Sequence, residues 1–498
     1  MSVKNLAPNP IKDALAAGRF TYMVELVASA KTTEEKLAEI GAGLAGIPGV
    51  IAGSVTSFAG GSAGHDPVTI AKIVKGQGLT PNVHLTCVSN PRDVAIQKLQ
   101  EMHAADIHNV FAITGDHPQA GKLKKEDLAP LSGFDLDSVQ LIELIAEMRK
   151  AGYPFQISCA VSPFKYTEAD CVYQYLKLEK KIAMGADFAI TQLGYDTQKF
   201  RELKRYLGDR GLKNFPVFGN VYLLSAGAAK KFAKGEPPGC WVSEELRDIV
   251  VAEAEASTDK GVAARMERAA KMVAMLRGLG YAGAYLGGDH DAGRLRWVIE
   301  RSEELAPKWE ECAAEINYSP KGGYFYYGQP TPPKPVGFKV AMYDVLNSAV
   351  LAHEAGPRRT VLSAVMRWFD KTPERAQALE RAELSFKKDA FGCQACGNCV
   401  LGEMEYVCPM TCPKNLRNGP CGGPLNGMCE VTPEQPCIWV AVYDRAKARG
   451  HIDQLKEYIP PRNPELAGTS SYINFFLNRD SRPENRQPLV NITTVGKP

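Results

Sequence analysis

Short apolar segments alternate with amphipathic segments along residues 21–305. Eight of the apolar segments are rich in Val, Ile, Phe and Tyr and are bounded by Gly, Pro, Asn or Asp, which is typical of β-strands. They cover residues 21–28, 49–57, 81–89, 108–116, 155–162, 187–194, 215–224 and 281–288. Between them, stretches such as TTEEKLAEIGAGLAGI and DSVQLIELIAEMRKAG carry apolar residues at helical spacing, and a Gly often ends the helix.

This alternation predicts an α/β fold, a (β/α)8 TIM barrel, because eight strand–helix units make one such barrel. A doubly wound sheet is the alternative, and it usually carries a glycine-rich phosphate turn after its first strand. Here the first strand runs into ELVASAKTTEE, which has neither the G-x-G-x-x-G spacing nor a Walker sequence. The barrel is therefore favoured.

The pattern divides the chain into three parts. Residues 1–317 are expected to form the barrel. Residues 318–390 begin with a connector dense in Pro, Gly and Tyr, YSPKGGYFYYGQPTPPKP, and continue with a helical pattern over 337–390. Residues 391–498 are expected to form a small Cys-rich, metal-binding domain whose final residues wrap an existing surface.

Composition narrows the class of protein. The 498 residues are 45% hydrophobic and 23% charged, which is ordinary for a globular protein. The net charge of +3 and the absence of a long Lys/Arg run argue against nucleic acid as the main partner. No run of about eighteen apolar residues predicts a membrane span, and the N-terminus lacks a signal-peptide pattern. We therefore expect a cytoplasmic protein, and a homo-oligomer is compatible with the sequence.

Polar residues stand at or near the ends of the predicted strands, where (β/α)8 enzymes carry their chemistry. They are Glu25, Thr56, His84, Asp116 and Gln192. A carboxylate at the end of an apolar strand costs free energy unless it is paired or functional. Glu25 and Asp116 are thus candidates for acid–base and charge-stabilising roles. Each alone is equally well explained as a hydrogen-bonded structural group, but five at comparable positions favour a site.

Four segments carry a more specific signal: HLTC (84–87), ITGDHP (113–118), GADFAITQ (185–192) and AAKKF (228–232). In order and spacing they resemble successive motifs of the methylenetetrahydrofolate reductase family, over about residues 15–305. The resemblance implies a barrel with a tightly held flavin, FAD more often than FMN. It also implies a reduced donor, either NAD(P)H or a redox protein. The implied reaction passes a hydride to 5,10-methylenetetrahydrofolate and gives 5-methyltetrahydrofolate.

The resemblance also implies roles for single residues. Glu25 matches the general acid that assists opening of the imidazolidine ring, and Asp116 matches a carboxylate near folate and flavin. Gln192 matches a glutamine that hydrogen-bonds the pterin, and Phe232 an aromatic that packs on the bound ligand. A negative charge at Asp116 would stabilise the cation that develops on the folate.

Further positions match residues that contact the flavin. They are Thr56, His84, Gly115, Asp116 and Lys181. Lys181 has an independent rationale, since a cationic side chain suits a flavin phosphate. Without the resemblance, a solvated lysine in LKLEKK is the simpler interpretation.

The sequence departs from the family pattern at three positions. Thr114 stands where the family often has Arg, Gln174 where an Asp would touch the flavin ribose, and Ala228 where a second glutamine helps to hold the substrate. These departures leave FAD versus FMN open and give no ground for assuming NADH as the donor.

Eight of the thirteen cysteines lie between Cys393 and Cys437, and in a reducing compartment such density indicates metal more than disulfides. The first four resemble the ferredoxin pattern C-x2-C-x2-C…C-P and predict a [4Fe–4S] cluster, with Cys412 as a substitute for the last. These four are Cys393, Cys396, Cys399 and Cys408. The others could bind zinc or complete a second centre, and zinc alone is the competing interpretation of the whole segment. These others are Cys412, Cys421, Cys429 and Cys437.

The segments KNLRNGPCGG and CIWVAVYDRAK resemble the C-terminal domain that accompanies some of these reductases, which implies a link between the flavin and other redox proteins. The sequence is thus interpreted as a flavin-dependent methylenetetrahydrofolate reductase, with oxidation of methyltetrahydrofolate as its reverse reaction. Two alternatives stay open: a folate-dependent methyltransferase, which needs no flavin, and an electron-transfer or scaffold subunit with an inactive barrel.

Overall fold

Eight parallel strands close into a barrel in chain order, and the first strand pairs with the last. The computed structural model of the chain describes residues 8–29, 31–56, 65–88, 90–117, 134–350, 356–480 and 488–490. The strands are β1 Thr21–Leu26, β2 Val50–Val55, β3 Pro81–Thr86, β4 Asn109–Ile113, β5 Gln156–Val161, β6 Phe188–Thr191, β7 Val217–Tyr222 and β8 Gly283–Gly287. The predicted (β/α)8 barrel is confirmed.

The helices of the barrel region include one that precedes β1 and others that follow the strands and cover the outside of the barrel. They are α1 Pro10–Ala16, α2 Glu34–Ala45, α3 Pro67–Gly76, α4 Arg92–Ala104, α5 Ser138–Lys150, α6 Glu168–Met184, α7 Thr197–Asp209, α8 Ala226–Phe232, α9 Glu244–Ala256, α10 Val262–Gly278, α11 Ala292–Leu305 and α12 Trp309–Glu315. Many begin at a capping side chain that accepts hydrogen bonds from the first free N–H groups, as Thr33, Asp66 and Asp137 do.

The barrel interior is packed with side chains and closed at one end. Met23, Phe188, Phe218 and Tyr285 form an interior cluster that also includes Ile11 of α1. Asn9, which caps α1, donates a hydrogen bond to the Asn109 side chain at the start of β4. The N-terminal helix therefore covers the end where the strands begin, and chemistry is left to the opposite end.

The remainder of the chain forms a helical segment and a Cys-rich lobe, which we define as residues 392–480. The helical segment contains α13 Phe338–Val350, α14 Pro357–Phe369 and α15 Pro373–Phe391, and the lobe contains α16 Ile438–Arg449 and α17 Ser471–Phe476. The lobe packs against α6: the rings of Tyr173 and Trp439 meet edge to face, with centroids 5.4 Å apart. Among the described helices, none is long and apolar enough to cross a bilayer.

Candidate active site

Glu25 stands at the end of β1, at the open end of the barrel. Burial raises the pKa of its carboxyl to about 7. Across the β1–β8 pair, a Cβ on Gly287 would lie 2.8 Å from Glu25 Oε2, so a glycine there leaves the carboxyl its space. In the described residues no side chain donates a hydrogen bond to this carboxyl. Glu25 can therefore hold or release a proton near neutral pH.

Asp116 follows β4 through Gly115, whose φ of +80° lies in the left-handed region that favours glycine. The residue keeps contact with solvent at the mouth. Partial desolvation, followed by the negative charge of Glu430, raises the pKa of its carboxyl to about 6, while Lys414 acts in the opposite direction. Near neutral pH the Asp116 carboxyl is therefore mostly ionised, whereas the Glu25 carboxyl keeps its proton in part of the molecules.

The thiol of Cys240 indicates that the two carboxyls face the same space. Cys240 lies in the segment after α8, and burial raises its pKa to about 12, with further contributions from Glu25 first and then from Asp116. Electrostatic effects of this kind weaken with distance. The first strand and the loop after the fourth therefore bring two carboxyls to the same mouth.

The other residues expected near substrate lie on the β6–β8 side of this mouth. Gln192 follows β6, and its Nε2 lies 3.6 Å from the point where a Cβ on Gly239 would stand. Its Oε1 accepts a hydrogen bond from the backbone N–H of Leu193 at 2.8 Å. Phe232 is buried, with its ring centroid 5.3 Å from that of Tyr222. Whether either touches a ligand stays a prediction.

Three residues expected at the flavin have their polar atoms engaged within the protein. Thr56 donates to the carbonyl of Leu26 at 3.1 Å. His84 lies 2.9 Å from Ser54 Oγ, and burial lowers its pKa to about 3, so the ring is neutral. Lys181 is buried and donates to the Ala160 carbonyl at 2.5 Å.

These contacts test how well a flavin fits. The mouth suits the reacting end of such a cofactor, because Glu25 lacks a described donor and Asp116 is accessible. The surroundings expected at the phosphate end fit a flavin less well, because a phosphate at Lys181 would have to break the hydrogen bond from Lys181 to the Ala160 carbonyl. Burial lowers the pKa of the Lys181 ammonium to about 8, and an anion beside it would raise that pKa again.

Residues of the Cys-rich lobe reach the mouth, and sequence reasoning missed this contact. Buried lysines of the barrel donate to backbone carbonyls of the lobe: Lys165 to Pro424 at 2.6 Å and Lys177 to Pro420 at 2.9 Å. Gln174 donates to the Cys421 carbonyl at 3.0 Å. One signal was available: the Gly422–Gly423 pair, since adjacent glycines often mark a close approach of two backbones.

The eight thiols of the Cys-rich segment fall into two groups. Cys393, Cys396, Cys399 and Cys408 line one cavity. Cys412, Cys421, Cys429 and Cys437 form the other group, in which burial, followed by the neighbouring sulfurs, raises the pKa of Cys437. Within the described residues, no three metal-ligating side chains stand close enough to hold an ion, so the thiols of a group would have to converge on binding one.

Comparison with known families decides the assignment. A family profile described as "Methylenetetrahydrofolate reductase" matches residues 11–278, more than half of the chain. The chain belongs to the methylenetetrahydrofolate reductase family. A second profile, "Methylene-tetrahydrofolate reductase C terminal", matches residues 373–465 of the helical segment and lobe. Both resemblances found in the sequence are confirmed.

Individual relatives of this reductase family match shorter stretches. The "Probable methylenetetrahydrofolate reductase (NADPH)" of Caenorhabditis elegans is 24% identical over 187 residues, 34% of this chain and 26% of the relative. The "5,10-methylenetetrahydrofolate reductase" of Salmonella typhimurium is 28% identical over 166 residues, 32% of this chain and 51% of the relative. The chain thus spans between a quarter and a half of these relatives.

A solved structure covers a similar part of the fold. It is an "Uncharacterized protein from Clostridium thermocellum" that "binds two copies of 5-methyl-5,6,7,8-tetrahydrofolic acid". It shares 12% sequence identity, covers 60% of this chain and 99% of its own, and superposes with a TM-score of 0.43. At that score the likeness carries no argument about this chain.

Proposed function

We propose that this chain is a flavin-dependent methylenetetrahydrofolate reductase that reduces 5,10-methylenetetrahydrofolate to 5-methyltetrahydrofolate. The observation that carries the proposal is the pair of carboxyls at one barrel mouth, Glu25 with a pKa near 7 and Asp116 with a pKa near 6. An acid that keeps its proton beside a carboxylate that has lost its own suits a reaction that protonates a leaving nitrogen and develops a cation.

Each carboxyl has a defined task in this proposal. Glu25 donates a proton to the folate nitrogen that leaves when the five-membered ring opens. Asp116 stays ionised and stabilises the positive charge left on the opened folate. A flavin, when bound, would supply the hydride that this cation accepts. Gln192 and Phe232 are proposed to orient the pterin, the first by hydrogen bonding and the second by packing.

The same residues serve the reverse direction, oxidation of 5-methyltetrahydrofolate, with Glu25 accepting the proton. Which direction prevails depends on the donor potential and the metabolite ratio. NAD(P)H and a redox protein both remain candidates for the donor, and FAD and FMN for the flavin. The dense thiols of the lobe favour a redox protein, because they offer electrons a path that needs no nicotinamide.

We also propose that the lobe binds metal, with a [4Fe–4S] cluster on Cys393, Cys396, Cys399 and Cys408. Lys387 supports this assignment: it is 5% exposed, and its Nζ lies 3.6 Å from Cys399 Sγ. A buried ammonium beside several sulfurs offsets the negative charge that thiolates acquire when they bind a metal.

The second thiol group is surrounded by further buried cations. Lys165, Lys177 and Lys414 all lie within electrostatic reach of Cys421. We propose a zinc ion or a second cluster on Cys412, Cys421, Cys429 and Cys437. Elemental analysis of anaerobically purified protein distinguishes the outcomes: iron with sulfide indicates clusters, zinc alone a structural site, and neither metal would refute the proposal.

One anaerobic titration tests the reductase proposal. The purified full-length protein should show the visible absorption of an oxidised flavin, and 5-methyltetrahydrofolate should bleach it. A folate-dependent methyltransferase would contain no flavin. A scaffold subunit with an inactive barrel would retain its absorption after the folate is added.

A further inference from the structure

One lysine of the Cys-rich lobe enters the barrel mouth beside Asp116. Lys414 is 2% exposed, and its Nζ donates a hydrogen bond to the Gly115 carbonyl at 2.8 Å. The same ammonium forms an ion pair with Glu430 and lies 5.6 Å from the centre of the Phe134 ring. Lys414 thus contacts the residue that immediately precedes the carboxylate of the site.

Two glycines make this arrangement sterically specific. A Cβ on Gly115 would lie 2.6 Å from Val88 Cγ1, so the backbone that precedes Asp116 has no room for a side chain. A Cβ on Gly423 would lie 1.0 Å from Glu430 Oε2, so the glycine leaves the space that the Glu430 carboxylate occupies. The two glycines therefore leave room for the Lys414–Glu430 ion pair next to the loop that follows β4.

Lys414 and Glu430 place opposite charges near the carboxyl of Asp116. Glu430 disfavours the ionised form of Asp116 and Lys414 favours it. Other titratable groups nearby include the adjacent His117, the Cys240 thiol and the Cys421 thiol, and both His117 and Cys421 lie within reach of Lys414 and Glu430. The charges from the lobe therefore act in opposite directions, with Glu430 the larger, at the residue that must stay ionised in the proposed reaction.

We propose that Lys414 and Glu430 are positioning residues of the barrel site, which the Cys-rich lobe supplies to hold the β4 loop and to set the charge around Asp116. The inference rests on the proposed function for its consequence in catalysis. Attachment of the lobe does not require this pair, because Lys177 donates to the Gly419 and Pro420 carbonyls and Lys165 to the Pro424 carbonyl.

Three variants of the full-length protein separate positioning from attachment: Lys414→Met, Glu430→Gln and Lys177→Met. Lys177 is the matched control, since it is also 2% exposed and bonds to the same lobe but is not among the charges that act on Asp116. Reduction of methylenetetrahydrofolate by a reduced viologen dye is measured against pH. Flavin content and thermal unfolding are recorded for each variant, and Lys414→Arg tests rescue by a retained cation.

The two site variants should move the acidic limb of the pH profile in opposite directions. Loss of the Lys414 charge raises the pKa of Asp116, so the limb moves to higher pH. Loss of the Glu430 charge lowers that pKa, so the limb moves to lower pH. Lys414→Met should also reduce kcat about tenfold to a hundredfold, because the β4 loop loses its anchor. Lys177→Met should leave the limb in place, and Lys414→Arg should recover part of kcat.

Two results would overturn the inference: equal losses in Lys177→Met and Lys414→Met, or limbs that move in the same direction. If the wild-type protein does not turn over folate, the proposed function fails and the positioning role is tested by amide hydrogen exchange. Exchange over residues 109–117 should then accelerate in Lys414→Met but not in Lys177→Met. Unchanged exchange in Lys414→Met would refute the role without reference to activity.

Discussion

Glu25 and Asp116 are both carboxyls near strand ends, yet their surroundings raise their pKa values in different ways. Glu25 has burial as the cause of its raised pKa, whereas Asp116 also lies between the opposite charges of Glu430 and Lys414. A separation of pKa values between two carboxyls is how enzymes obtain an acid and an ionised partner at one pH. The pKa values of these two residues therefore support acid–base chemistry at the barrel mouth.

The pH dependence of folate reduction should be bell-shaped. Activity should rise as the pH passes about 6, because Asp116 must lose its proton, and fall as the pH passes about 7, because Glu25 must keep its proton. The measurement is kcat/KM for methylenetetrahydrofolate at constant ionic strength. A profile that is flat between pH 5 and 8 would remove both carboxyls from the rate-limiting chemistry.

Glu25→Gln should keep its flavin and lose at least about a hundredfold in folate reduction, the lower range for a missing proton donor. Glutamine preserves the size of the side chain but cannot give up a proton. Glu35→Gln, at an exposed position near the start of α2, is the control and should match the wild type. Near-normal turnover of Glu25→Gln would exclude Glu25 from the mechanism.

Sequence reasoning selected Glu25 and Asp116 as candidates because each stands near the end of an apolar strand, a local pattern. It missed Lys414 and Glu430, which belong to a segment that looks like a polar loop between cysteines. Lys414 meets the Gly115 carbonyl across 299 residues of chain. No local periodicity encodes such a contact, so it becomes visible only when the lobe is folded onto the barrel.

Among the elements, α5 connects the barrel to the lobe through its capping residue. Asp137 caps α5 by accepting from the N–H groups of Val139 and Gln140. Its other oxygen accepts from the backbone N–H groups of Arg417 and Asn418 and from the Asn418 side chain, at 3.2, 3.0 and 2.9 Å. One carboxylate thus caps the start of a barrel helix and also holds a lobe segment.

Asp137→Ala should lower the free energy of unfolding by about 3 kcal/mol, because a helix cap and several charge-assisted hydrogen bonds are lost together. Asp66→Ala is the matched control: Asp66 caps α3 and contacts Lys98 but no residue of the lobe, so about 1 kcal/mol is expected. Urea unfolding measures both. Equal losses would show that the lobe contacts of Asp137 contribute no stability.

The elements themselves were largely predictable, since strand and helix periods are local properties of the sequence. The predicted strand ends were less accurate. The sixth was predicted over 187–194, whereas β6 ends at Thr191. The backbone N–H of Gln192 still donates to the Val161 carbonyl of β5, but the next N–H, that of Leu193, donates to the Gln192 side chain. An apolar count does not detect such a polar turn.

For the whole molecule, the proposal that both thiol groups bind metal predicts two separable metal centres. Cys393→Ser should remove the metal of the first group and leave that of the second, and Cys437→Ser should do the reverse, because each group folds around its own ion or cluster. Cys312→Ser, in α12 and outside both groups, is the control and should retain all of the metal. Elemental analysis measures the content. Complete loss in either single variant would indicate one shared centre instead.

The contacts between lobe and barrel have a consequence for the covalent link between them. Lys165, Lys177 and Asp137 hold the lobe through its main chain, while residues 328–335 of the connector are exposed. Protease cleavage within that stretch should therefore leave two fragments that elute together in gel filtration. In the intact protein the connector would then serve only to keep the two parts at high local concentration. Their recognition of each other would depend entirely on the docked surfaces.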